Sequence, residues 1–224
     1  MARRRAVLGA LLLAGCAPST PAPHPLTTEE AERLALVRYL NYEAGLSAVH
    51  ATIPTGAGTL ELDGRVDFVT HIGHAALTTK GRADAASAGV VQWNPALVAF
   101  RQGLGADDPL PPDGWQLREL QKGAELDIVL LVVLNLANDR PDNPQLLARS
   151  TARWLRADNV DGVPVDVFAG PAEAGRFARL AYWVDRDGRL RRLTIGLSTQ
   201  ETDAVLTFSP TTRPLTPLPA LTMP

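Results

Sequence analysis

The feature that most constrains this chain is an alternation of apolar and polar side chains between residues 59 and 72. The apolar parity carries five large side chains: Leu60, Leu62, Val66, Phe68 and Ile72. A period of two over this length predicts a long strand with one buried face and one solvated face. Such alternation is typical of antiparallel sheets, because parallel strands are covered on both faces.

Gly64 falls on the apolar parity of this strand. A missing side chain there permits a bulge or a strong bend in the middle of the strand. The pair Asp63-Gly64 is also a common hairpin turn, which would divide the segment into two strands. Both interpretations are compatible with an antiparallel sheet.

Further strands are predicted on either side of this segment, over residues 46–53, 75–79, 88–93, 96–101, 153–158, 163–168, 181–185, 190–197 and 204–208. Asp161-Gly162 and Asp187-Gly188 each lie between two alternating runs, which is a strong hairpin signal. Residues 103–114 contain repeated Asp and Pro and are predicted to be a loop. The chain beyond Ser209 has five prolines, so we expect an extended tail that cannot add a regular central strand.

Residues 28–42 are predicted to form a helix. Thr27 with Glu30 makes a capping box, and acidic side chains suit the positive end of the helix dipole. Apolar residues recur at helical spacing along the segment, and Gly45 is a suitable stop.

Residues 126–137 are favoured as a second helix. Four β-branched residues within this segment favour a strand, whereas its length, its acidic start and the Asn-Asp-Arg-Pro stop favour a helix. Residues 128–134 are all apolar. A helix without a polar face must be enclosed by the sheet or line an apolar cavity.

The N-terminus has the layout of a cleaved export signal, with three arginines, a short apolar run and the sequence Leu13-Ala14-Gly15-Cys16. This ending resembles the lipobox of bacterial lipoproteins, in which cleavage precedes a cysteine that carries a diacylglyceryl group. Cys16 is the predicted lipidation site. Because it is the only cysteine, it has no disulfide partner within the chain. The alternative is an ordinary signal peptide that happens to contain a cysteine.

These features predict a signal peptide over residues 1–15 and a proline-rich tether over residues 16–26. A single domain over residues 27–209 and a proline-rich tail over residues 210–224 follow. The mature chain would have 209 residues, enough for one domain with a substantial core. We expect it to be exported and lipid-anchored to the outer face of the cytoplasmic membrane.

The sequence offers no pattern of catalytic or metal-binding residues. It lacks a Gly-x-Ser-x-Gly elbow, a phosphate-binding glycine loop and a His-Glu-x-x-His motif. Beyond the three N-terminal arginines, 19 basic side chains stand against 24 acidic ones without a basic cluster, so nucleic acid is not an expected partner. We predict neither enzymatic activity nor a cofactor or metal.

Several histidine and aspartate residues are of types that can bind metals. His71 and His74 would point to opposite faces of a strand, so they are predicted to be solvated rather than to share a metal. Four aspartates are assigned to turns, where Asp is favoured by local hydrogen bonds: Asp158, Asp161, Asp185 and Asp187.

The order of elements, together with the lipobox, resembles the LppX/LprAFG family of actinobacterial lipoproteins, whose half-barrel is related to that of the LolA and LolB carriers. Residues 60–68 resemble the family's early strand with an internal glycine. Residues 182–190 resemble a late hairpin with the family's Gly-x-Leu start of the next strand. The resemblance extends over residues 27–208.

This resemblance implies an α+β fold in which a strongly curved antiparallel sheet, a half-barrel, wraps over helices. It implies a hydrophobic cavity that receives acyl chains. The candidate cavity residues are Leu62, Val66, Phe68, Val129, Leu130, Val133 and Leu134. We expect a monomeric lipoprotein that carries acyl lipid or glycolipid between membranes or partners. The alternative is a non-catalytic interaction or sensor lipoprotein with a closed core.

Overall fold

A computed structural model describes residues 21–80, 88–172, 179–198 and 200–222. The described residues form four helices: α1 (Thr28–Ala44), α2 (Glu125–Leu134), α3 (Pro144–Arg149) and α4 (Pro219–Thr222). The first six strands are β1 (His24–Pro25), β2 (Leu46–Thr55), β3 (Gly58–Asp67), β4 (Ile72–Thr79), β5 (Gly89–Trp93) and β6 (Leu97–Gln102). The other six are β7 (Gln116–Glu119), β8 (Arg153–Val160), β9 (Val163–Ala169), β10 (Leu180–Asp185), β11 (Leu190–Ile195) and β12 (Ala204–Pro210).

All twelve strands belong to one open sheet in the order β1-β8-β9-β10-β11-β12-β2-β3-β4-β5-β6-β7. Every neighbouring pair is antiparallel. The late strands therefore join the early ones through β12 and β2, where Phe208 is opposite Val49. The segment from β7 to β8, which contains α2 and α3, therefore connects the two ends of the sheet.

The sheet is curved over the helices, and its concave face holds the main core. One continuous cluster of buried apolar side chains joins Trp154 on β8 to Val98 on β6, although these strands lie near opposite ends of the sheet. Residues of α1 and α2 complete the same cluster. The predicted fold class, an α+β fold with a strongly curved antiparallel sheet wrapped over helices, is confirmed.

Helix α1 begins with the predicted capping box. Thr27 Oγ1 accepts a hydrogen bond from the Glu30 N–H at 3.3 Å, and Glu30 Oε2 accepts one from the Thr27 N–H at 2.8 Å. The helix ends at Gly45, whose φ of 70° lies in the left-handed region that glycine adopts easily. The predicted helix is confirmed, and it continues two residues further than expected.

Helix α2 is confirmed as a helix, and hydrogen bonds hold it at its start and near its middle. At its start, the fully buried Asp127 carboxylate accepts two hydrogen bonds from the Arg118 guanidinium, one of them at 2.7 Å, and a third from the Gln121 N–H. Further along, Trp93 Nε1 donates to the Leu130 carbonyl at 3.1 Å. The hydrogen bond to Asp127 raises the pKa of Arg118, so the guanidinium keeps its charge.

The long alternating segment forms a shorter strand than expected. β3 ends at Asp67, and a tight turn with φ of 52° at His71 leads into β4, so the prediction of a single strand to residue 72 is wrong at its end. Gly64 lies in mid-strand, paired with Val49 on one side and Ala75 on the other. The hairpin interpretation of Asp63-Gly64 is therefore wrong, and neither ladder shifts register there.

The ends of the domain lie closer to the sheet than the predicted tether and tail suggest. His24 pairs with Trp154, their rings stack with centroids 4.8 Å apart, and Leu26 is buried. At the other end, Leu218 and Leu221 are buried beside the sheet. The predicted signal peptide and lipidation site Cys16 lie outside the described residues, so both stay predictions.

Candidate functional site

The seven residues expected to line a lipid cavity are all buried in the main core cluster. Leu62, Val66 and Phe68 contribute from the sheet side, and the other four contribute from α2. Among the seven, Phe68 borders a small cavity of about 140 Å³ between α1 and β12. The structure thus places these side chains beneath the surface, and their contact with lipid stays a prediction.

A cavity of about 580 Å³ lies between α1 and α3. Its wall combines apolar side chains with a few polar ones: Leu34, Val37, Arg38, Asn135, Asp142, Asn143, Leu146, Leu147, Ser150, Pro171 and Tyr182. This volume falls within the range of about 300–1,000 Å³ that small-molecule sites occupy.

A second cavity of about 250 Å³ lies beside the first, along α2. The two share three lining residues, Arg38, Asn135 and Tyr182. The remaining wall is mainly apolar: Lys122, Ile128, Leu131, Val132, Leu136 and Leu180. We call these two adjacent cavities the mouth groove.

The sequence of α2 explains why it supplies both core and groove. Successive helical residues are about 100° apart, so a helix that is apolar all round presents apolar side chains in every direction. Val129 and Val133 are buried against the sheet, whereas Ile128 and Val132 are half-buried and line the mouth groove. One side of α2 is therefore enclosed by the sheet, and the other side lines a cavity.

Arg38 on α1 forms hydrogen bonds with the segment that follows α2 in the wall of the mouth groove. Its guanidinium donates to the Asn135 carbonyl at 3.0 Å, the Ala137 carbonyl at 3.4 Å and the Asp142 carboxylate at 3.2 Å. The Asn41 side chain adds a 2.8 Å hydrogen bond to the Leu136 carbonyl. These hydrogen bonds hold the segment after α2 against α1.

Tyr182 places a neutral hydroxyl at the junction of the two cavities. Burial raises the pKa of Tyr182 to about 12, against the smaller effect of Arg38. The phenol therefore keeps its proton at neutral pH, and it makes no hydrogen bond within the described part of the chain. Such a group can donate to a ligand's ester or sugar oxygen.

A third cavity of about 400 Å³ lies at the other side of α2, near the end of the sheet. Most of its lining is apolar: Leu77, Val91, Val98, Phe100, Gln116, Leu117, Arg118 and Leu126. Leu126 and Ile128 are two residues apart and point to nearly opposite sides of the helix, so α2 separates this cavity from the mouth groove.

The histidines do not behave as expected. His74 is only 2% exposed, so the prediction that it is solvated is wrong. The C-terminal tail and the loop before β7 cover the outer face of β4 at this point. His71 lies in the turn before β4, where its Nδ1 is 3.1 Å from the Leu134 carbonyl.

The predicted turn role holds for Asp185. Its carboxylate accepts hydrogen bonds from the backbone N–H groups of Asp187 at 3.0 Å and Arg189 at 2.9 Å. Within the described ranges, no three His, Cys, Asp or Glu side chains come together as a metal site. None of the helices in the described part is long and apolar enough to cross a bilayer.

Sequence analysis missed α3, Arg38 and Tyr182 as parts of the site. A signal for α3 was present, because Asn143-Pro144 is a typical cap followed by proline at the first helical position. The Asn143 side chain indeed accepts from the Gln145 and Leu146 N–H groups at 2.9 and 3.2 Å. Arg38 and Tyr182 are 144 residues apart in the numbering, and no local pattern links them.

No protein family matches the sequence, and no curated protein matches it. Among solved structures, an uncharacterized conserved protein from Thermus thermophilus is similar over 79% of this chain and 85% of its own, with 10% identity and a TM-score of 0.43. The Pseudomonas aeruginosa MucA/MucB complex contains a chain of which 55% matches 81% of this one, with 17% identity and a TM-score of 0.35.

A putative outer membrane lipoprotein-sorting protein domain from Vibrio parahaemolyticus matches 82% of this chain and 92% of its own, with 11% identity and a TM-score of 0.27. All three TM-scores are below 0.5, so these likenesses carry no conclusion about the function of this chain. The expected membership of the LppX/LprAFG family stays a prediction.

Proposed function

We propose that this chain is a membrane-anchored envelope lipoprotein that binds the acyl part of a lipid or glycolipid and carries it between membranes or partners. The mouth groove is the observation that carries this proposal. It is a mainly apolar depression in the described surface, bordered by the polar groups of Arg38, Lys122 and Tyr182.

The groove has the properties that an amphipathic ligand requires. Burial of acyl surface contributes about 25 cal/mol per Å², so apolar walls alone can hold a chain. Lys122 is exposed and has no ion-pair partner among the described residues, which leaves its ammonium group available to an anionic or hydroxylated head group. The sequence resemblance to the LppX/LprAFG lipoproteins points in the same direction.

The anchor completes the proposal. Cys16 lies eight residues before β1, and the intervening segment contains several prolines that favour an extended backbone. A lipid on Cys16 would keep the domain near the membrane from which it takes its cargo. The site of the anchor and the identity of the membrane are both part of the proposal.

The proposal is tested with a chain that begins at Pro21, which retains β1 but lacks the anchor. We expect native mass spectrometry of the purified protein to show a bound lipid, and we expect the protein to speed transfer of a fluorescent phospholipid between vesicles. Bare protein mass together with no transfer would overturn the proposal. That outcome would favour the interaction-module alternative.

A further inference from the structure

The C-terminal tail lies across the outer face of the sheet, on the side opposite the main core. We call residues 211–222 the C-terminal strap. Arg65 Nε donates to the Pro214 carbonyl at 3.0 Å, and the Asn94 side chain donates to the Leu221 carbonyl at 2.9 Å. The apolar side chains of the strap cover an apolar patch on the sheet. That cluster contains Leu97, Ala99, Trp115, Leu218 and Leu221.

Gln92 fastens the middle of the C-terminal strap. This side chain is fully buried on β5. Its Nε2 group donates to the Thr216 carbonyl at 2.9 Å and lies 3.1 Å from Nδ1 of His74. Its Oε1 atom accepts from the Leu218 N–H at 2.9 Å. Because the Leu218 N–H can only donate, the orientation of the Gln92 amide is fixed.

The same contacts fix the protonation state of His74. Its Nε2 atom is 2.9 Å from the Ala106 carbonyl, which can only accept, so Nε2 carries a hydrogen. Its Nδ1 atom faces the amino group of Gln92, so Nδ1 must accept and carries none. The observed network therefore requires a neutral imidazole.

A second proton on His74 is incompatible with this network. Two donors, Nδ1–H and the Gln92 amino group, would then face each other. Rotating the Gln92 amide by 180° would satisfy His74 but would lose the bonds to Thr216 and Leu218. A buried polar group left without a hydrogen-bond partner destabilises the state that contains it, so protonation works against the closed strap.

Four charged groups face His74 from the elements around it. Arg65 comes from β3, Asp107 and Asp108 from the loop before β7, and Arg213 from the C-terminal strap, and all four border one cavity of about 250 Å³ with His74. Asp107 pairs with Arg213, and Asp108 accepts from the Gly105 N–H at 2.7 Å.

The electrostatic balance around His74 favours the neutral state. Burial lowers the pKa of His74, and the charges of Arg65 and Arg213 act in the same direction. The hydrogen bond to Ala106 and the charge of Asp107 oppose this shift but do not reverse it.

We propose that the C-terminal strap is a proton-sensitive fastening, closed while His74 is neutral and released when His74 is protonated. Release uncovers the apolar patch around Ala99 and frees the loop that contains Ala106. The proposal concerns the outer face of the sheet and does not depend on lipid binding in the mouth groove.

The direction of the pH effect follows from linkage. His74 binds its proton more weakly in the closed state than in the open, solvated state, so closure is favoured above about pH 6.5 and weakens below it. The equilibrium constant for opening should rise about tenfold for each pH unit below about 6.5, as long as the closed state stays unprotonated. Local opening of this kind is measured by hydrogen exchange.

The test is hydrogen exchange of the full chain in detergent at about pH 7.5 and about pH 5, with rates corrected for the intrinsic pH dependence. We expect protection of the Leu218 amide to fall up to about 30-fold between these conditions. The Leu193 amide in the central sheet serves as the internal reference. Equal protection of Leu218 at both pH values would overturn the proposal.

Two substitutions identify the responsible group. His74→Gln keeps a donor for Ala106 but cannot become charged, so we expect its strap protection to be independent of pH. His50→Gln is the matched control, since His50 is an exposed histidine on β2, and it should retain the wild-type pH response. A persistent pH response in His74→Gln would show that another group controls the strap.

A third substitution tests the network if His74→Gln does not fold. Gln92→Leu removes both hydrogen bonds to the strap without adding charge, so Leu218 should be poorly protected at both pH values. Strong protection with wild-type pH dependence in this variant would contradict the proposed role of the buried network.

Discussion

Leu146 on α3 is 66% exposed, although it is a large apolar residue and borders the mouth groove. Its exposure means that a polar substitution should disturb ligand contact more than folding. We predict that Leu146→Glu reduces lipid retention several-fold and changes the melting temperature little, since exposed substitutions usually alter stability by less than about 0.5 kcal/mol. The measurement is bound lipid per protein by native mass spectrometry.

Val69→Glu is the control for this substitution, because Val69 is 50% exposed and lies in the turn after β3, away from the groove. It should retain lipid as the wild type does. Equal retention by Leu146→Glu and the wild type would remove α3 from the proposed site.

Cys16 is the residue on which the predicted anchor depends. Burial of about 0.8 kcal/mol per methylene makes two or three acyl chains a stable anchor, whereas one chain is marginal. We predict that Cys16→Ala moves the protein from the detergent phase to the aqueous phase in a partition assay. A variant that still enters the detergent phase would place the anchor elsewhere.

At the scale of elements, an introduced charge should destabilise the protein strongly on one side of α2 and weakly on the other. Val133 is only 2% exposed, so Val133→Asp would bury a charge without a partner and should lower stability by several kcal/mol. Val132→Asp changes the same residue type on the half-buried groove side, so we expect a much smaller loss. Thermal unfolding of the two variants measures the difference, and equal losses would contradict the placement of α2.

The pairing of β3 with β4 at Gly64 requires a residue without a side chain. A Cβ atom added there would lie 2.5 Å from the Ala75 Cα and would also meet the His74 carbonyl, so the strands would have to separate. We predict that Gly64→Ala lowers the melting temperature strongly. Gly56→Ala, where nothing lies within 4 Å of the added atom, should change it little. Similar melting of both variants would show that the strands can move apart freely.

At the scale of the whole molecule, local patterns predicted most elements, because alternation, caps and Asp-Gly turns act over a few residues. The capping box of α1 and the turn at Asp161-Gly162 formed as expected, the latter with φ of 51° and 83°. β7 was missed because its four residues are all exposed and show no alternation of burial.

The candidate site was less predictable than the fold. Leu62 and Val133 are apolar whether they fill a core or line a cavity, so composition could not distinguish the two roles. His74 was misassigned for a related reason. Its burial results from Ala106 and the C-terminal strap, which lie 32 or more residues away in the chain.

The two ends of the open sheet bear on how the protein avoids polymerisation. An exposed edge strand can template pairing with another chain, and two such edges would permit endless head-to-tail addition. One edge is β1, which has only two residues, and one of them, Pro25, lacks a backbone N–H. The other is β7, only four residues long and carrying Arg118 and Glu119. With the β1 edge blunted in this way, contact between two copies through β7 would produce closed pairs rather than fibrils.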